Sequence, residues 1–163
     1  MPAHTIFTFN KTSNLEHWKV VDDAVMGGKS SGHFKLNQDG MGMFYGKVSL
    51  DNNGGFSSLR YRGDSIDTQG FQEIVLRIKG DGKRYQFRVK ANLDDNHSYV
   101  SYFTTTGEWQ TINMALKDLF PRFRGRNLSI PKFSGEAIEE LGFLLANKKT
   151  ENFTLLLESI CFQ

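Results

Sequence analysis

The sequence lacks most of the features that would place its chemistry quickly. Its one cysteine, Cys161, excludes an internal disulfide and a zinc cluster built on cysteines. That residue lies in an apolar run near the end of the chain and is expected to be a buried, inert thiol. An excess of one charge is missing too. Twenty basic and 18 acidic residues leave a formal net charge of +2, short of what a dedicated nucleic-acid surface carries, so no nucleic-acid partner is expected. No apolar stretch approaches the ~18 residues of a membrane span. The opening Met1-Pro2-Ala3-His4-Thr5-Ile6-Phe7 has neither a charged leader nor a long apolar region. The expectation is a cytoplasmic protein that does not insert into membranes.

Helix signals are also scarce. Only one turn near Ala115 to Leu119 and another at Glu136 to Glu140 read as helical, and helix-sized crossovers, which parallel sheets require, are missing. What is abundant suits an antiparallel β core: 14 Phe, 5 Tyr and 2 Trp, with 16 glycines for turns. At 163 residues the chain is long enough to bury a core without metal or disulfide support. Short apolar runs recur between Gly, Asn and Asp punctuation, giving about ten strands. They run over 5–9, 33–37, 41–50, 56–62, 74–78, 85–89, 98–105, 109–114, 141–146 and 153–162, with an irregular stretch through 18–32 and a loop at 119–126. Asp39-Gly40 reads as a hairpin turn. Ile74, Leu76 and Ile78 alternate before Gly80-Asp81-Gly82, and Tyr85, Phe87 and Val89 alternate after it, which reads as a second hairpin. A third pair is expected around Gly107. The expected fold is all-β, a jelly-roll-like antiparallel sandwich forming one domain over 1–163.

The motifs that suggest chemistry fail on inspection. Gly28-Lys29-Ser30 has Asp23 where a phosphate loop needs glycine, and a hairpin rather than a helix follows. The doublets Asp22-Asp23, Asp94-Asp95 and Glu139-Glu140 do not make two-carboxylate sites, because neighbours on an extended chain point to opposite sides. His4, His17, His33 and His97 lack metal-ligand spacing; Asp51-Asn52-Asn53 has oxygen ligands for a structural calcium but not the EF-hand spacing. Arg122-Phe123-Arg124-Gly125-Arg126 interleaves aromatic and charge, but one short cluster in a nearly neutral chain reads as a solvated loop. With no nucleophile–base set, an enzyme is not expected, and neither a metal nor another cofactor.

Two segments are more specific. Trp18-Lys19-Val20-Val21-Asp22-Asp23-Ala24-Val25-Met26-Gly27-Gly28-Lys29-Ser30 resembles the signature of the complex I intermediate-associated protein family. Phe44-Tyr45-Gly46-Lys47-Val48-Ser49-Leu50, followed by Asn53-Gly54-Gly55-Phe56-Ser57-Ser58, is similar to a second conserved stretch of it. The likeness continues through Gly80 to Tyr85, Gly107 to Gln110, Leu141-Gly142-Phe143 and Phe153-Thr154-Leu155, nearly the whole chain. The resemblance implies a galactose-binding-like jelly roll, an assembly-factor role in respiratory complexes, a protein partner such as a respiratory-complex subunit, and no catalytic residues. Without a transit presequence the chain looks like the stand-alone, bacterial-type members.

Physically, glycine pairs at 27–28 and 54–55 permit positive φ and close backbone approach. Asp22 or Asp23, with Asn52 or Asn53, is expected to hydrogen-bond facing amides and join the two segments in one corner. That corner is structural or a binding rim. Its rim candidates are Asp22, Asp23, Lys29, Ser30, Asn52 and Asn53; its structural set is Trp18, Gly27, Gly28, Gly54, Gly55 and Phe56, with Trp109 elsewhere. Trp18 and Trp109 are expected to be largely buried. The leading functional reading is a protein-binding module. The alternative is a carbohydrate-binding module, which exposed rings at Tyr61, Tyr99 or Tyr102 beside a polar groove would favour.

Overall fold

The computed structural model describes residues 4–23, 27–123, 126–134 and 137–163. Met1 to Ala3, the Ala24-Val25-Met26 part of the signature, Arg124-Gly125 of the basic cluster and Glu136 of the second expected helical turn lie outside them, as do the side chains of His4 and Asn53.

Among the described residues there are thirteen strands: β1 (His4–Thr8), β2 (Trp18–Asp22), β3 (Ser31–Leu36), β4 (Gly42–Val48), β5 (Ser57–Tyr61), β6 (Glu73–Lys79), β7 (Arg84–Lys90), β8 (Ser98–Thr104), β9 (Trp109–Ala115), β10 (Phe120–Phe123), β11 (Arg126–Asn127), β12 (Glu140–Leu145) and β13 (Glu151–Phe162). They form two antiparallel sheets. One has the order β3-β4-β13-β6-β9, with β1 also on β13; the other runs β11-β10-β8-β7-β12-β5-β2. The inward faces of both supply one core, in which Phe44, Leu76, Tyr85, Phe87, Leu155 and Phe162 are completely buried. The all-β sandwich read from alternation is the fold observed.

Two expected hairpins are not hairpins. β6 pairs with β9 and β7 pairs with β8, so Gly80-Asp81-Gly82 carries the chain from one sheet to the other, and so does the turn at Gly107. A hairpin and an arch across the core both need alternating apolar residues in each strand, so period alone does not separate them. The first arch is built for its place. A Cβ at Gly80 would collide with the Thr105 side chain. Tyr85 Oη donates to Asp81 Oδ1 (2.9 Å), and the Thr154 amide donates to Asp81 Oδ2 (2.8 Å). Burial and the Asp81 carboxylate push the Tyr85 hydroxyl far above the usual phenol range.

Other expectations need correction. The irregular stretch begins with a strand, β2, and the expected loop at 119–126 contains β10 and β11 on the edge of the seven-stranded sheet. Pro121 is tolerated there because only the two-residue β11 faces β10 on its outer side. The turn at Leu116–Asp118 is 3-10 helical as expected, but Ala137 to Glu140 are not helical. Ile138, completely buried, instead exchanges two backbone hydrogen bonds of 2.8 Å with Ile66. Trp18 is buried at 8% exposure, whereas Trp109 is only half-buried: it stands opposite Lys79 on the outward face of β9, with Arg77 5.8 Å above its ring. Ile112, three residues on, faces the other way. Cys161 is likewise half-buried, its Sγ 3.8 Å from Thr5 Oγ1. No described helix is long and apolar enough to cross a membrane.

Candidate functional site

Two regions carry concentrated polar chemistry: the corner built by the two signature segments, where the two sheets meet, and a groove on the outer face of the seven-stranded sheet.

The corner turns on Asp23, whose side chain leaves the end of β2 and is completely buried. Its Oδ1 accepts from the Ser30 amide (2.9 Å), and its Oδ2 accepts from Ser30 Oγ (2.5 Å), the Gly55 amide (2.6 Å) and the Phe56 amide (3.2 Å). Ser30 Oγ also accepts from the Ser49 amide at 2.9 Å. One carboxylate thus joins residues 23, 30 and 55–56. Burial, the largest single influence, opposes its charge; the hydrogen bonds from Ser30, Gly55 and Phe56 outweigh it, so the pKa lies below the ordinary aspartate value.

The glycines follow from this carboxylate. A Cβ at Gly28 would land on the Asp23 carboxyl group, and one at Gly54 would come within 2.6 Å of its Oδ2. Gly27 has φ +89° and Gly55 φ +145°, angles that L side chains rarely adopt. Half-buried Asp22 does parallel work one residue earlier, accepting from the Gly32 amide (2.9 Å) and Ser57 Oγ (2.5 Å). The structure therefore brings the two segments together through the backbone amides of Gly55 and Phe56, while the expectation for the Asn53 side chain lies outside the described residues. Asn52 is exposed and has a left-handed backbone, φ 56°. Of the rim candidates, Lys29 and Asn52 face solvent, while Asp23 and Ser30 face inward onto each other.

The groove lies beside this corner, and Gly54, Gly55 and Phe56 form part of its wall. It has a volume of about 940 Å³. Its floor is the outward half of the alternation whose inward half makes the core: on β7, Tyr85, Phe87 and Val89 point in, while Arg84, Gln86, Arg88 and Lys90 line the groove. Cross-strand register sets Gly142 of β12 between Arg60 of β5 and Arg88 of β7. Glycine is required at 142 by close backbone approach, since a Cβ there would collide with the Leu59 carbonyl oxygen. With no side chain between them, the two arginines face one another from positions about 10 Å apart, two strand spacings. Arg122 on β10 adds a third guanidinium from the far side. Among the described residues six basic side chains and one acid, Glu140, line the groove, a local +5 in a chain of net charge +2.

That acid is already engaged, since Arg62 Nε donates to Glu140 Oε1 at 2.6 Å. Arg88 Nε is buried and has no hydrogen-bond partner. Burial first, then the neighbouring Arg60 and Arg122 charges, lower the Arg88 pKa to about 10, against the pull of Glu140. The Lys90 amine is lowered by burial and by Arg60, Arg62 and Arg88, again against Glu140. Arg84 stacks on the Tyr102 ring, 4.3 Å from its centroid. Of the tyrosines proposed as sugar platforms, Tyr99 is buried and Tyr61 packs on Trp18 at 4.9 Å; Tyr102 alone of the three lines the groove. Reasoning from the sequence did not find this site. The alternating Arg84, Arg88 and Lys90 were its visible signal, but Arg60 and Arg122 join them only through pairing between distant strands. Among the described residues no group of three His, Cys, Asp or Glu side chains is placed to hold a metal.

In fold the chain is similar to the family 11 carbohydrate-binding module from Clostridium thermocellum, solved with a β-1,3-1,4-mixed-linked tetrasaccharide (TM-score 0.67, 18% identity, 98% of this chain and 94% of that one). It is also similar to the family 29 module CBM29-2 (TM-score 0.58, 8% identity, 100% of this chain and 92% of that one). Identities this low establish the architecture alone. In sequence it is 25% identical to the mitochondrial Complex I intermediate-associated protein 30 of Drosophila melanogaster over 88% of this chain and 56% of that protein. It is 22% identical to the Mus musculus protein of the same name, over 97% of this chain and 55% of that protein. The chain spans about half the length of these curated relatives. The family model for Complex I intermediate-associated protein 30 matches residues 7–157, a span holding both signature segments, the Asp23 corner and every described residue of the groove, and the chain accordingly belongs to that family.

Proposed function

We propose that this chain, acting as one β-sandwich domain in the cytoplasm, is a non-enzymatic interaction module that assists assembly of a respiratory complex of the NADH dehydrogenase type by holding a protein partner. The observation that carries the reading is the family match over 7–157. The groove supports it chemically: among the described residues its polar groups are guanidiniums, amines, hydroxyls and amides, with one carboxylate, which is held by Arg62. Such a set binds, and offers no free base to activate a nucleophile. Deleting the gene in the organism that encodes it is expected to leave partly assembled complex on native gels and to lower NADH dehydrogenase activity. Normal assembly in the deletion strain overturns the proposal.

A second reading, carbohydrate binding, is favoured by the fold neighbours and by a groove containing Tyr102. Calorimetric titration with a β-1,3-1,4-linked tetrasaccharide decides it: saturable heat supports a sugar site, and its absence at millimolar ligand removes this one. The stacking of Arg84 on Tyr102 weighs against it, because that face of the ring is already covered.

A further inference from the structure

The slot between Arg60 and Arg88 presents like charges facing one another across a glycine, with a buried guanidinium N–H that has no acceptor. Neither feature helps the isolated protein. A buried donor left unpaired costs free energy, and so does mutual repulsion among Arg60, Arg88 and Arg122 in a partly dry groove. Both costs vanish when an anion enters. The carboxylate already present does not serve, because it is tied to Arg62. We infer that this slot is a carboxylate-binding site, and that it docks an extended acidic peptide segment of the partner protein. The inference rests on the protein-partner reading above.

Three observations select this occupant. Guanidinium groups match planar carboxylates through paired hydrogen bonds, and the slot has one on each side. The local charge of +5 is spread across five neighbouring strands, from β5 to β10, so it matches a run of acidic side chains rather than a single ion. The aromatic ring set among the cations, Tyr102, is covered by Arg84 at 4.3 Å with Arg122 at 6.0 Å. A single-stranded nucleic acid needs stacking platforms as well as charge, and a sugar polymer needs an open ring face; here the ring serves to position arginines.

The test uses the whole chain and a fluorescein-labelled deca-glutamate peptide, followed by anisotropy. Deca-glutamine, a polygalacturonate oligomer and deca-uridylate serve as competitors. The expected result is saturable binding of deca-glutamate that weakens as salt rises and is not competed by deca-glutamine. Arg88→Gln and Arg60→Gln should each weaken it at least about tenfold, the step that one lost charge-assisted contact of 1.4 kcal/mol produces. Arg88→Lys should recover part of that loss, and Lys47→Gln, on β4 of the other sheet, should leave it unchanged. Melting of Arg88→Gln at or above the wild-type temperature shows that the loss is one of binding and not of folding; Arg60→Gln, on a half-buried position, gives an independent measure. Binding that ignores both substitutions overturns the inference, as does tighter binding of polygalacturonate or deca-uridylate with the same arginine dependence. Failure in this assay leaves the assembly reading standing, since that reading is judged by the deletion strain.

Discussion

The corner and the groove share the wall at Gly54 to Phe56 and are electrostatic opposites. At Asp23 one buried negative charge meets four donors and every part is satisfied within the chain. At Arg88 a half-buried positive group meets two more arginines and keeps its buried Nε–H unpaired. The first arrangement is complete in the free protein; the second is the one that the proposed acidic segment would complete. The difference separates polar residues that hold a fold from polar residues that await something, a distinction that residue type alone does not make.

Removing the hub should have the largest effect. Asp23→Ala leaves the amides of Ser30, Gly55 and Phe56 buried without an acceptor, and is expected to cost about 3–5 kcal/mol in denaturant unfolding. A loss below about 1 kcal/mol would mean that the corner is as dispensable as a surface site, and the contrast with the groove would fail. Next come the glycines: Gly28→Ala and Gly54→Ala force a methyl against the Asp23 carboxyl and should each cost about 1–3 kcal/mol. Acid titration sharpens the comparison further. Because the folded-state pKa of Asp23 is depressed, its contribution is complete above the unfolded value near 3.8 and is lost as pH falls through the lower folded value. Wild-type stability should therefore drop below about pH 4 more steeply than that of Asp23→Asn, and parallel curves would remove the assigned charge. The smallest effect is expected at the groove, where Arg88→Gln should leave stability unchanged or raise it by up to about 1 kcal/mol, since it relieves repulsion. A clear fall would make Arg88 a structural residue like Asp23.

The sequence made the corner more legible than the groove, for physical reasons. Asp23, Gly28 and Ser30 lie within eight residues, and a glycine pair beside short polar side chains signals close backbone approach wherever it occurs. The link to Gly55 was accessible because the second segment repeats that chemistry. The sandwich was legible through its alternating core residues, such as Ile74 to Ile78 and Tyr85 to Val89. Which strands pair was not, because an arch at Gly80 to Gly82 uses the same turn residues as a hairpin. The groove was hidden by that gap: Arg60, Arg88 and Arg122 are neighbours only after β5, β12, β7, β8 and β10 are put in order. A balanced total charge concealed the imbalance between faces.

The position of β13 has a consequence for how the molecule forms. It binds β4 along its first half and β1 along its second, with β6 on its other side, so three strands from the front half of the sequence converge on residues 151–162. Until that segment arrives, β4 and β6 each keep an unsatisfied edge, and β1 has no partner among the described strands. Such a topology puts its decisive contacts at long sequence separation, which places folding in the slower millisecond-to-second class. A nascent or truncated chain lacking this strand would expose open, apolar edges, the kind of surface on which misassociation begins.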